Sequence, residues 1–123
     1  MTITKHDGSQ IDRISPWIKF AVPQETSDLY EGVHWAPPQH YQWQHARPAR
    51  PKSLRIYESH VGIASDKEEV ATYKHFTQNI IPRVKDLGYN CVELMAIMEH
   101  AYYASFGYQV TNFFAVSRCV WGM

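Results

Sequence analysis

The chain has 123 residues, 45% hydrophobic and 20% charged, which is enough for one small domain with a modest core and too apolar for disorder throughout. Twelve basic and twelve acidic residues cancel, so no charge excess points to nucleic acid, an acidic membrane surface or a solvating tail. Two cysteines in unlike contexts, Cys91 and Cys119, argue against a disulfide framework; no apolar run nears the roughly 18 residues of a spanning helix, and a soluble, reducing, cytoplasmic setting is expected.

Residues 1–20 predict a hairpin and its exit. Thr2, Ile3 and Thr4 favour extended structure, His6-Asp7-Gly8-Ser9 supplies Asp-Gly turn chemistry, and residues 10–14 return as a second strand before Ser15-Pro16 ends it. Trp17, Ile18 and Phe20 follow as a short apolar exit. From 22 to 51 the texture changes: Pro23, Pro37, Pro38, Pro48 and Pro51 interrupt a run rich in His, Gln, Trp and Tyr, which predicts a loop or linker. Its rings, Tyr30, Trp35, Tyr41 and Trp43, suit either a sugar-stacking platform or anchorage of the loop to a neighbouring core. The general habit of Trp and Tyr favours anchorage, with Trp35 and Trp43 as the pins. His34, His40, His45, His60, His75 and His100 match no zinc spacing and are taken as scattered surface or linker residues, so no metal or cofactor is implied.

Residues 54–58 predict a strand that ends at Ser59-His60-Val61-Gly62. Ser65 to Glu69 offer capping oxygens and early acids, so a helix is expected to start near 68–70. Val70, Tyr73, Phe76, Ile80, Val84 and Leu87 recur at three- and four-residue steps as its apolar stripe, with Lys74, Gln78, Arg83 and Lys85 facing outward. Pro82 lacks a donor and crowds the Gln78 carbonyl, which predicts a kink or break near Asn79; Gly88 is placed as the stop. Residues 91–98 then form a nearly continuous apolar run, expected as a strand covered on both faces despite the helix propensity of its Glu, Leu, Met and Ala. Strand, crossover helix and strand make a right-handed βαβ unit, so the fold class is α/β.

Ligands of parallel α/β folds gather at the carboxyl ends of the strands. Here those ends are Glu58-Ser59-His60 and Met98-Glu99-His100, followed by the aromatic loop 101–109. Glu58 and Glu99 are candidates for an acid and nucleophile pair, which retaining glycosyl transfer holds about 5 Å apart. The favoured alternative is that each orients a neighbouring loop or pairs with Arg55 or His100.

The run Glu93-Leu94-Met95-Ala96-Ile97-Met98-Glu99-His100, continuing through Tyr102-Tyr103-Ala104-Ser105-Phe106-Gly107-Tyr108-Gln109 to Ala115, closely resembles the second barrel strand and following loop of the α-1,4-glucan branching enzymes of glycoside hydrolase family 13. Arg55-Ile56-Tyr57-Glu58-Ser59-His60-Val61-Gly62 looks like their first strand, the helix between is similar, and Ile14-Ser15-Pro16-Trp17 and His45-Ala46-Arg47-Pro48 resemble, more loosely, the approach to the barrel. The resemblance implies the following division: residues 1–21 the end of a β-sandwich carbohydrate-binding module, 22–53 a linker, 54–115 the opening βαβ portion of a (β/α)8 barrel, and 116–123 a divergent tail. It implies cleavage of α-1,4-glucan (glycogen or starch) and rejoining through α-1,6 links by retaining double displacement. Tyr108 falls on the family tyrosine that stacks on the sugar being cleaved; Gln109 and His100 are expected to shape the same substrate-binding rim. The family's catalytic carboxylates come from later strands whose motifs are absent, and after Arg118 the chain leaves the family pattern as Cys119-Val120-Trp121-Gly122-Met123. The expectations are therefore a truncated or alternative product, inactive alone, prone to associate through exposed strands, with noncatalytic glucan binding as the alternative.

Overall fold

The computed structural model describes residues 1–27 and 29–118; the end of the tail, from Cys119 on, lies outside them. The N-terminal hairpin forms as its turn chemistry dictates. β1 (Thr2–Thr4) and β2 (Gln10–Asp12) pair antiparallel, with Thr2 opposite Asp12. The turn closes because Gly8 adopts φ 82° and the Asp7 carboxylate accepts the Ser9 amide at 2.9 Å and the Ser9 hydroxyl at 2.6 Å. Those bonds hold the exposed Asp7 carboxyl below its ordinary pKa.

The expected irregular segment instead opens with a second hairpin, β3 (Ala21–Pro23) against β4 (Tyr30–Gly32). Its signal is hidden because Pro23 sits at the last pair of the ladder, where a missing N–H costs little. Gly32 lets Ile14 and Ile18 close on it, since a β-carbon there would stand 3.0 Å from each of their side chains. Beyond this hairpin, residues 33–55 carry neither helix nor strand. Trp35 and Trp43 do not pin this stretch to a core: they are 73% and 85% exposed. Trp43 instead meets a ring of its own segment, Tyr41.

β5 (Ile56–His60) and β6 (Cys91–Met95) pair in parallel, Ile56 beside Cys91 and His60 beside Met95. Asn90 fixes that register at the amino ends: its side chain accepts the Arg55 amide at 2.8 Å and donates to the Ser53 carbonyl at 2.9 Å. The connection carries the expected helix, but it begins later. Thr72, extended at φ −91° and ψ 159°, caps it by accepting the His75 amide at 3.0 Å. Ser65 instead spends its hydroxyl on a local turn with the Lys67 amide, so the acids after it stay outside the helix.

The helix runs as α1 (Tyr73–His75), a π turn (Phe76–Ile80) and α2 (Ile81–Asp86). The π turn is the expected break, and Pro82 explains it. Ile81 donates to the Phe76 carbonyl, five residues back, so the ladder steps past the position where Pro82 has no N–H to give. Gly88 at φ 86° ends the helix: its amide bonds the Lys85 carbonyl at 2.9 Å and Tyr89 reaches the Val84 carbonyl at 3.2 Å, a Schellman pair. Val61 and Phe76 form the core, flanked by Val70, Tyr73, Ile80 and Val92, while Val84 is also buried. Lys74, Gln78, Arg83 and Lys85 face outward as expected. Leu87, assigned to the stripe, is exposed, because the C-terminal turn swings it off the packed face.

The apolar run 91–98 is not one strand. It stops at Met95; Ala96 takes a left-handed φ of 55°, and Met98 starts β7 (Met98–His100), which pairs antiparallel with β8 (Val110–Val116). Nor is it covered on both faces, since Leu94 and Ile97 are exposed. The architecture is thus α/β, with a parallel pair bridged by a helix and three two-stranded antiparallel ladders among the described residues.

Candidate functional site

The carboxyl ends of β5 and β6 meet the loop 101–109. His60 donates from Nε2 to the Phe106 carbonyl at 2.7 Å, and its ring lies edge-on to Phe106 at 6.3 Å. On the β6 side the Tyr108 hydroxyl donates to Met95 Sδ at 3.5 Å. The loop thus bridges the two strand ends where a parallel fold gathers its ligands.

Its shape is set locally. A 3-10 turn over Tyr103–Ser105 is closed by the Phe106 amide on the Tyr103 carbonyl at 2.9 Å. The Ser105 hydroxyl donates to the Tyr102 carbonyl at 2.6 Å and accepts the Gln109 amide at 3.3 Å. Phe106 and Gly107 then both turn left-handed, at φ 54° and 84°. Only glycine fits at 107: a β-carbon there would stand 2.8 Å from the Ala96 β-carbon and 2.9 Å from its carbonyl oxygen. Ala96 and Phe106, non-glycine residues in the left-handed region, therefore flank the close approach at Gly107. Strain of this kind persists where surrounding contacts hold it, as the His60 bond holds Phe106.

Tyr108 is 66% exposed, its ring presented to solvent at the lip of this loop. Gln109 is exposed beside it. His100 is buried instead; Nδ1 lies 3.2 Å from the Met98 carbonyl, its ring is 6.4 Å from Tyr103, and Nε2 has no partner. The three residues chosen from sequence thus lie on one loop and its root, two on the surface and one beneath.

Glu58 and Glu99 take unlike places. Glu58 is exposed on β5, beside Glu93 in the parallel register. Glu99 is 0% exposed and engaged: Oε1 accepts the His100 amide at 3.0 Å, Oε2 accepts the Arg118 amide at 3.0 Å, and the Arg118 Nε lies 3.9 Å from Oε2. Glu99 thus engages its own neighbours, the backbone amides of His100 and Arg118. Tyr73 of α1 lies in the field of that carboxylate. Burial first, and Glu99 second, push its phenol up to about 12, and its buried hydroxyl has no partner. Tyr73, Arg118 and the His60 bond do not stand out in the sequence as parts of a site. The signal for His60 is its position as a polar residue at a strand's carboxyl end; Tyr73 and Arg118 give none, because one looks like stripe and the other like tail.

A second exposed feature is the groove of about 710 Å³ formed by Tyr41, Trp43, His45, Arg47 and Pro48, where the Tyr41 and Trp43 rings meet edge-on at 5.2 Å. Among the described residues no group of three His, Cys, Asp or Glu side chains is able to hold a metal ion, and no helix is long and apolar enough to cross a membrane.

No family model matches the chain. It is similar to proteins named 1,4-alpha-glucan-branching enzyme from several organisms. One from Equus caballus is 56% identical over 117 residues, which are 95% of this chain and 17% of that protein. One from Emericella nidulans is 59% identical over 120 residues, 95% of this chain and 18% of its own length. One from Aspergillus oryzae is 61% identical over 113 residues, 89% of this chain and 16% of its own. The chain therefore spans less than a fifth of the curated relatives it matches.

Proposed function

We propose a function from the premise that the chain belongs to the 1,4-alpha-glucan-branching-enzyme family, to which it is 50% to 61% identical over most of its length. Residues 54–115 open the family's catalytic (β/α)8 barrel, β5 and β6 being its first two strands. Residues 1–21 close a β-sandwich carbohydrate-binding module and 22–53 link the two. The whole protein cleaves an α-1,4-glucan and rejoins it through an α-1,6 link, in the cytoplasm. Cys91, a free thiol, suits a reducing compartment.

One observation carries this reading. The aromatic loop is seated on the carboxyl ends of two parallel strands with the Tyr108 ring open to solvent, as a sugar-stacking residue needs. Gln109 and His100 shape the same rim, one at its surface and one below. Retaining transfer requires a general acid and a nucleophile about 5 Å apart. Glu99 is unsuited to either role while both its oxygens accept backbone amides. We infer that the 123-residue chain is inactive by itself, because the family's catalytic Asp and Glu motifs do not occur in it. Iodine staining of amylose treated with the purified chain is expected to remain unchanged; measurable branching turnover would overturn the assignment.

A second reading is noncatalytic glucan binding through Tyr108 and the linker rings, and the exposure of Trp35 and Trp43 favours it. Co-sedimentation with insoluble glycogen separates the contributions. Tyr108→Ala is expected to lower retention if the rim binds, and Trp43→Ala if the groove does. No retention of the folded wild-type chain sinks the binding idea.

A further inference from the structure

We propose that Glu99 is the positioning residue of the rim, its carboxylate tying together the two ends of the segment that presents Tyr108. This goes beyond the rim assignment while resting on it for functional consequence. The motivating geometry lies in the β7–β8 ladder, where Met98 faces Val116, Glu99 faces Asn112 and His100 faces Val110, so the register shifts on both sides of Glu99. A doubly shifted ladder leaves backbone donors without regular acceptors. The Glu99 side chain supplies two. Oε1 takes the His100 amide where the chain enters the loop, and Oε2 takes the Arg118 amide where it has returned past β8, each at 3.0 Å. Its own carbonyl accepts the Thr111 hydroxyl at 3.1 Å, a third tie to the returning strand.

A fully buried carboxylate is tolerated only when its oxygens are satisfied and its charge is compensated. The two amides meet the first condition and the nearby Arg118 guanidinium contributes to the second. Charge and shape are both needed here. Glutamine at 99 would keep the volume but offer one acceptor oxygen, turning an NH₂ group toward one of the two amides. The loop would lose one of its two ties, and the left-handed pair Ala96 and Phe106 would lose a constraint that keeps Gly107 seated.

Amide hydrogen exchange of the 123-residue chain tests this without any glucan. In Glu99→Gln the amides of His100, Arg118 and residues 101–109 are expected to exchange about tenfold faster, the loss of one charge-assisted bond, with protection over 73–86 unchanged. Unchanged exchange at His100 and Arg118 would overturn the proposal, as would an equal rise across 73–86, which marks a merely stabilising residue. If Glu99→Gln does not fold, Arg118→Pro, which removes the second donor together with the guanidinium, carries the same expectation for His100 and residues 101–109, and unchanged exchange there overturns the proposal.

Maltoheptaose affinity then separates the two levels. Parallel weakening in Glu99→Gln and Tyr108→Ala supports positioning of the sugar-facing ring. Loop loosening with unaltered affinity in Tyr108→Ala supports Glu99 as the tie and overturns the rim assignment alone.

Discussion

At the residue scale, Tyr73 shows how one buried group reports on its surroundings. Its phenol, raised from 10.0 to about 12, is held neutral by burial and then by the Glu99 carboxylate. The folded value lies above the unfolded one, so the stability linked to this group is fully present below pH 10 and is lost as pH rises through about 12. Tyr73→Phe removes that dependence. Urea unfolding at successive alkaline pH values is expected to show wild type losing stability over this window faster than Tyr73→Phe; identical slopes would refute the assignment. Thr72 is the other residue whose chemistry decides a local outcome. It caps the helix because its backbone is already extended where its oxygen can reach the His75 amide, whereas Ser65 lies in a segment that turns on itself. Composition alone ranks the two alike, which is why the sequence pattern sets the start of the helix too close to Ser65.

At the element scale, much of the fold was legible. The apolar spacing from Val70 to Val84 encodes the packed face, Pro82 marks the π turn, and Gly88 marks the stop, each through a local rule that needs no distant contact. What was not legible depended on partners far along the chain. Ala96 interrupts an unbroken apolar run at the place where Gly107 comes close to it, and β3 pairs with β4 inside a proline-rich stretch with Pro23 at the last pair of the ladder. The rim was legible as a cluster of residue types at strand ends; the burial of His100 and Glu99 was not, since both follow from the shifted ladder. Two glycines turn this contrast into a measurement. Gly88 has open space where a β-carbon would stand but φ 86°, so Gly88→Ala is expected to cost about 1–2 kcal/mol from backbone conformation alone. Gly107 has φ 84° and a neighbour at 2.8 Å, so Gly107→Ala is expected to cost about 1–3 kcal/mol more through overpacking. Denaturant midpoints of the two variants check the order, and equal losses would contradict it.

At the scale of the whole molecule, the packed core is small and the uncovered apolar surface large. Val61 and Phe76 are its centre, while Ile56, Leu94, Phe113 and Phe114 remain exposed on strands. Trp17 stacks on Phe114 at 4.6 Å and Lys19 lies 5.2 Å from the same ring, which ties the N-terminal segment to β8 without burying that face. β5 and β6 pair only with each other among the described residues, so each presents an open edge. Open edges beside apolar side chains favour pairing with other chains. Sedimentation of the purified chain is expected to show mass rising with concentration, and a detergent or a covering partner to reverse it. A soluble monomer that unfolds cooperatively over the same range would contradict this.

The bond from Glu99 to the Arg118 amide also bears on the order of assembly during synthesis. The parallel pair, its helix and the loop bearing Tyr108 are all translated before Arg118 exists. β5 and β6 can meet as soon as residue 95 is free, yet the second tie on the rim waits for a residue nineteen positions beyond Glu99. On the ribosome the sheet is thus available first and the finished rim last, a sequence in time that a ligand presented early would find incomplete.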